Sequence, residues 1–171
     1  MAAEPYREIV RWPAWVHLVV WICIGAAGGS AVGAVRRAGL GPGVLLACVV
    51  AAVIAYVWWR MRHVALEFGP EGAAFGFGGL GTRVPAARIT GAWPEDYRLS
   101  RYMGWGWRIG TQPGDRAYSV IGCSRGVRLE FVNERGKRYS VFLASRDPER
   151  AVTALPESVR KSSPGTAPAA T

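Results

Sequence analysis

The chain has 171 residues, a formal net charge of +9, half its residues hydrophobic, and three cysteines. That length allows one modest soluble core beside any membrane segment. Cys23 and Cys48 lie in apolar runs and leave Cys123 alone elsewhere, which argues against a disulfide framework and fits a reduced compartment.

The positive charge is almost wholly arginine, a bias that goes with a GC-rich bacterial genome. Arg7, Arg11, Arg36 and Arg37 against Glu4 and Glu8 put +2 in the first 59 residues, so +7 of the +9 lies beyond them. Such an excess favours an anionic neighbour, either phospholipid headgroups or nucleic acid.

Residues 1–12 read as a short polar segment ahead of the first apolar run. From Pro13 to Val35 and again from Leu40 to Trp59 the chain carries no Asp, Glu, Lys or Arg. Each run is long enough to cross the roughly 30 Å of a bilayer's hydrocarbon as a helix. The first run is too long for a signal peptide, and a second follows almost at once. Between them, Arg36-Arg37-Ala38-Gly39 and Gly41-Pro42-Gly43 form a polar, helix-breaking connection. Residues 13–60 are therefore expected to form a transmembrane hairpin with both ends on one side.

Trp12 and Trp15 at the start of one run, and Tyr56, Trp58 and Trp59 at the end of the other, suit the same membrane interface. Arg7, Arg11, Arg60 and Arg62 outnumber Arg36 and Arg37, so the positive-inside rule places both termini in the cytoplasm. The expectation is a multi-pass protein of the cell inner (plasma) membrane. Gly25, Gly29 and Gly33 recur every fourth residue, as do Ala47, Ala51 and Ala55. These small-residue strips permit close helix packing, first against each other and second between copies of the chain. His17 is assigned an interfacial role rather than an ion path, which would make the protein a transporter.

Beyond the hairpin, residues 61–156 show short apolar runs broken by Gly and Pro every 8 to 12 residues, the rhythm of an antiparallel sheet beginning at Val64. Pro85 assigns its strand to an edge or a bulge. Val127-Arg128-Leu129-Glu130-Phe131, the turn Asn133-Glu134-Arg135-Gly136 and the run Arg138 to Leu143 predict a β-hairpin. Val127, Leu129 and Phe131 are expected in its core, with Arg128 and Glu130 in solvent. Asp147, Pro148 and Glu149 open a helix over 148–155. Residues 157–171, rich in Ser, Pro, Ala and Thr, read as a disordered tail.

This order of elements resembles the bacterial pleckstrin-homology-like (PH-like) membrane proteins. The resemblance covers roughly Val64 to Leu155. It is carried by Gly104-Trp105-Gly106-Trp107-Arg108-Ile109, Ala117-Tyr118-Ser119-Val120, Gly126-Val127-Arg128-Leu129 and Ser145-Arg146-Asp147-Pro148-Glu149. It implies a membrane α-hairpin plus an α+β, mainly β unit: two transmembrane helices followed by an antiparallel PH-like β-barrel or sandwich closed by one C-terminal helix. Family members that bind inositol lipids use cations on the first hairpin, and Gly69 to Leu80 has none, so no headgroup site is carried over.

His17, His63, Cys123 and the scattered acids have no spacing suited to a metal or a nucleophile and base, so neither a catalytic nor a metal site is expected, and no cofactor. Glu95 and Asp96 are neighbours on an extended chain and point to opposite faces. The unusual segment is Trp93 to Trp107, read as a long loop. Trp93, Tyr97, Arg98, Arg101, Tyr102, Trp105, Trp107 and Arg108 are the candidate lipid or partner contacts, Met103 lies in the same segment, and Arg83 and Arg88 are weaker members of the surface. The competing reading is that the aromatics cap the sheet. The functional expectation is a membrane-anchored, non-enzymatic scaffold or adaptor touching lipid headgroups, a partner protein or its own copies. The alternative is an atypical enzyme or transporter accessory subunit. Nucleic-acid binding ranks third, since no recognition motif accompanies the charge.

Overall fold

The computed structural model describes residues 4–39, 41–78 and 80–161. It contains two long apolar helices and two antiparallel-based sheets, a mixed α+β architecture.

The first departure from the sequence reading comes before the first helix. Tyr6–Arg11 is strand β1, followed by helix α1 (Ala14–Ala38), helix α2 (Pro42–Met61) and strand β2 (His63–Gly69). β1 and β2 are antiparallel neighbours from Tyr6↔Phe68 to Arg11↔His63. The helical hairpin is thus an insertion in the β1–β2 connection, and the sheet starts at Tyr6 rather than Val64. The signal was present: Tyr6, Glu8 and Val10 alternate with Arg7, Ile9 and Arg11, and Val10 is buried while its neighbours are exposed.

α1 ends where Gly39 takes φ 74° and its N–H bonds the Val35 carbonyl at 2.8 Å. Pro42 then occupies the first turn of α2, where its missing N–H costs nothing. Both helices are long and apolar enough to cross a membrane by length and composition, and α2 has no buried residue. At their common end the His17 ring lies edge-on to Trp58 at 5.2 Å, and Trp12 lies 5.8 Å from Trp58.

β2 continues into β3 (Gly72–Phe77) and β4 (Leu80–Pro85), giving a first sheet of order β1-β2-β3-β4. Pro85 is on its edge strand, where no ladder partner is lost. The second sheet holds β5 (Ile89–Asp96), β6 (Gly106–Ile109), β7 (Asp115–Ser119), β8 (Arg125–Val132) and β9 (Arg138–Ala144), in the order β5-β8-β9-β7-β6. β7 and β9 are parallel, and the other pairs are antiparallel. The sheets remain separate, so the closed barrel expected as one form of the fold is replaced by two open sheets facing each other.

Their shared core contains Val10, Val64, Leu66, Phe68 and Phe75 from one sheet and Val127, Leu129, Phe131, Val141 and Leu143 from the other. Phe75 meets Tyr118 at 5.4 Å and Phe131 at 6.3 Å across the gap. Helix α4 (Pro148–Thr153) packs on β5 and β8 of one sheet and β1 of the other. It is shorter than the expected 148–155, although Ala154 and Leu155 are also buried. Asp147 caps it by accepting from the Arg150 N–H at 3.1 Å.

The first residues of the expected tail are ordered. Val159 is buried, Arg160 bridges Ala92, and the Lys161 N–H donates to the Ala92 carbonyl at 2.9 Å. Residues 162–171 lie outside the described residues.

Candidate lipid or partner contact surface

β8 sends Val127, Leu129 and Phe131 between the sheets, so Arg128 necessarily points from the opposite face. That face is covered. Arg128 is only 2% exposed, set between Trp93 on β5 and Phe142 on β9. The expectation of a solvated Arg128 therefore fails, because strand alternation assigns a face without saying what packs over it.

The cover is the segment read as a loop. It consists of the end of β5, a single-turn helix α3 (Leu99–Tyr102) and the start of β6. Arg128 Nη1 donates to Tyr102 OH at 2.7 Å and to Asp115 Oδ1 at 3.0 Å, and its Nε donates to Glu95. Tyr102 OH donates to Asp115 Oδ1 at 2.7 Å, and Arg101 Nε donates to Asp115 Oδ2 at 2.5 Å. Two guanidinium groups thus offset two carboxylates, the arrangement that makes buried charge tolerable. Burial pushes the Tyr102 hydroxyl up to about 12 against the opposing pull of Arg128. Burial also works against the Arg128 charge, but Glu95 and Tyr102 outweigh it and raise the guanidinium above its ordinary value. Glu95 and Asp96 do part to opposite faces: Glu95 joins this network, while the exposed Asp96 sits 3.8 Å from Arg125.

Beside the charges lies an aromatic stack. Tyr97 is parallel to Tyr102 at 5.4 Å and to Trp105 at 4.6 Å, tilts on Phe142 at 5.0 Å, and donates its hydroxyl to the Gly104 carbonyl. Met103 at φ 52° and Gly106 at φ 100° fold the chain back into β6, and the Gly106 N–H reaches Ser119 Oγ at 3.1 Å.

The candidate residues therefore divide. Trp93 and Tyr102 are buried, Tyr97 and Trp105 are half-buried in the stack, and Arg101 is committed to Asp115. Arg98, Trp107 and Arg108 are exposed, together with Leu99, Met103 (87%) and Leu80. Within this exposed set, Leu80 and Trp107 stand beside the base of the helical hairpin. A Cβ on Gly78, two residues before Leu80, would strike the Arg60 carbonyl at 1.7 Å, and one on Gly106 would lie 4.0 Å from Trp12. Arg83 stands on β4 opposite Ala74, and Arg88 pairs with Glu134 at the other end of the sheets, so Arg88 belongs to a different surface.

The expected strip-to-strip helix packing is not what joins the hairpin. A Cβ on Gly25 or Gly29 would meet nothing within 4 Å, and one on Gly33 would meet only Arg37 of its own helix. Ala51 and Ala55 are partly covered, and Ala47 borders a shallow cleft with Ala27 and Ala31. The packed face of α1 is therefore offset from the glycines, because the helix is apolar all round and the repeat alone does not select a side.

Among the described residues no three His, Cys, Asp or Glu side chains gather as a metal-binding group. Burial raises the Cys123 thiol, opposite to what a nucleophilic thiolate requires. No family model, no curated protein and no solved structure matches this chain.

Proposed function

We propose that the chain is a bilayer-anchored, non-enzymatic scaffold of PH-like type whose folded unit rests on the lipid headgroups. The observation that carries this reading is the insertion of the hairpin between paired strands. Only Trp12 and Pro13 separate β1 from α1, and only Arg62 separates α2 from β2. Trp12 Nε1 also donates to the Met61 carbonyl at 2.8 Å across the base. A domain joined to its anchor by two short strand-to-helix connections is held against the membrane rather than swinging on a linker.

Leu45, Leu46, Val49, Val53 and Ile54 of α2 are all more than half exposed. Each such side chain left in water forgoes roughly 1.5–3 kcal/mol of burial, so a hydrocarbon surround is the favourable one. With the hairpin in the bilayer, Leu80, Leu99, Met103 and Trp107 come to headgroup depth, where amphipathic and apolar side chains partition, and Arg98 and Arg108 meet phosphates. The excess of Arg7, Arg11, Arg60 and Arg62 over Arg36 and Arg37 supports the cytoplasmic side for the domain.

The test replaces Met103 by a photoreactive amino acid in the full chain reconstituted into vesicles containing phosphatidylglycerol. A lipid adduct that diminishes when Arg98 and Arg108 become Glu is expected. Irradiation that yields only water-quenched product in folded protein would overturn the headgroup contact.

A further inference from the structure

The pole of the two-sheet unit opposite the hairpin carries its own concentration of positive charge. The turn after Val132 lies at the far end of the first sheet: β4 starts at Leu80 beside the hairpin base and ends at Pro85, and Arg88 just past it pairs with Glu134 of the turn. Six extended residues separate the two ends by roughly 17 Å, beyond the roughly 10 Å over which salt screens charge. This turn, closed by Gly136 at φ 73°, presents Arg135, Lys137 and Arg138, all exposed. Arg116 and Arg88 flank it, and Lys161 lies on the same end through Glu130.

The only carboxylates paired with this group among the described residues are Glu134, held by Arg88 at 3.1 Å, and Glu130, held by Lys161 at 3.7 Å. Arg116, Arg135, Lys137 and Arg138 have no carboxylate within 4 Å among the described residues. The aromatic at this pole is Tyr139. Its ring is stacked on Phe131 at 5.5 Å and overlaid by Arg116 at 4.9 Å, so neither face is open to a nucleobase.

We propose that this pole is a docking surface for an acidic, extended segment of a partner protein. The cations are spread around a turn and a strand end, with Arg138 and Lys161 lining a cleft beside Tyr139, and guanidinium forks at 116, 135 and 138 suit side-chain carboxylates in bidentate contact. Covered aromatic faces remove the stacking on which sequence-tolerant single-strand binding depends. The inference relies on the bilayer reading only for which pole faces the aqueous phase. With the hairpin pole on the headgroups, the opposite pole is out of their electrostatic reach and free for a soluble partner, which would give the scaffold its second point of contact.

The experiment uses the full chain in zwitterionic detergent micelles at 150 mM salt, so that its outcome does not depend on insertion into a bilayer. The probes are a fluorescent decapeptide of alternating Glu and Ser and a single-stranded oligonucleotide of equal charge. The variants are Arg135→Glu/Lys137→Glu/Arg138→Glu at this pole and Arg98→Glu/Arg108→Glu at the hairpin pole, each checked for native circular dichroism. The expected result is peptide binding that falls about tenfold or more in the triple variant and stays within about twofold in the double. Equal loss in both variants, tighter binding of the oligonucleotide than of the peptide, or no peptide binding by the unaltered chain would each overturn the proposal. Failure of the bilayer reading would register separately, as the absence of lipid adducts at Met103.

Discussion

Asp115 and Arg128, on strands separated by β9, meet at 3.0 Å beneath a single helical turn, with exposures of 1% and 2%. Around them the second sheet has a small polar interior on the side facing away from the main core.

Removing one member of that pair should be costly. Arg128→Ala strips Glu95 of its partner and leaves Asp115 to Arg101 and Tyr102 alone, and stability should fall by about 3–5 kcal/mol, the range for breaking a buried ion pair. Asp115→Asn keeps the shape and one acceptor and should cost less. Urea unfolding in mild micelles followed by tryptophan fluorescence reads both. A loss under about 1 kcal/mol for Arg128→Ala would mean that water enters the cluster and that it is not a sealed network.

The base of the hairpin should respond to one indole N–H. Trp12→Phe keeps most of the ring but deletes the donor to the Met61 carbonyl, a loss of about 1 kcal/mol. The local effect should exceed the global one, with faster amide exchange near Arg11 and His63, the last pair of β1 and β2. Unchanged exchange there would show that strand pairing alone holds the base.

How far the sequence announces this architecture depends on what each residue must satisfy locally. Both apolar helices, the β8–β9 hairpin with its Asn133 to Gly136 turn and the Asp147 cap rest on near-neighbour chemistry, and they stand where composition and periodicity place them. Strand β1 is a lone run of six residues beside a long apolar stretch, and its partner lies 52 residues away across the hairpin, so no local rule pairs Arg11 with His63. The candidate site is legible in outline only. Composition singles out Trp93 to Trp107, but Tyr97, Tyr102 and Trp105 turn inward because Phe142 and Arg128 arrive from β9 and β8 to receive them. Asp115, which anchors the segment, follows a Pro-Gly turn and carries no sequence feature that sets it apart from a surface acid.

His63 should give the fold an acid-sensitive contribution. Burial, then Arg62 and Arg11, lower its pKa from the ordinary value of 6.5. The folded state therefore resists protonation that the unfolded chain accepts. Stability should be full above about pH 6.5 and decline as pH falls through the lower folded value, the sense required when the unfolded state binds more protons. His63→Gln should flatten that slope between pH 7 and 5 while leaving stability at pH 8 nearly unchanged. A slope that persists in the variant would assign it to carboxylates.

Gly78 should tolerate no side chain. Its φ of 48° lies in the left-handed region, which costs an ordinary residue about 1–2 kcal/mol. A Cβ there would also stand 1.7 Å from the Arg60 carbonyl oxygen, which is backbone at the end of α2 and has little freedom to retreat. Gly78→Ala must therefore push the β3–β4 turn off the hairpin base, with Leu80 carried along. The expected outcome is a destabilisation of more than about 2 kcal/mol, from the φ strain and the close backbone contact together. Asn at this position separates the two causes, because it accepts the left-handed conformation yet still carries the Cβ. Equal losses for Ala and Asn would identify contact with α2 as the dominant constraint, and full recovery with Asn would reduce the effect to backbone conformation.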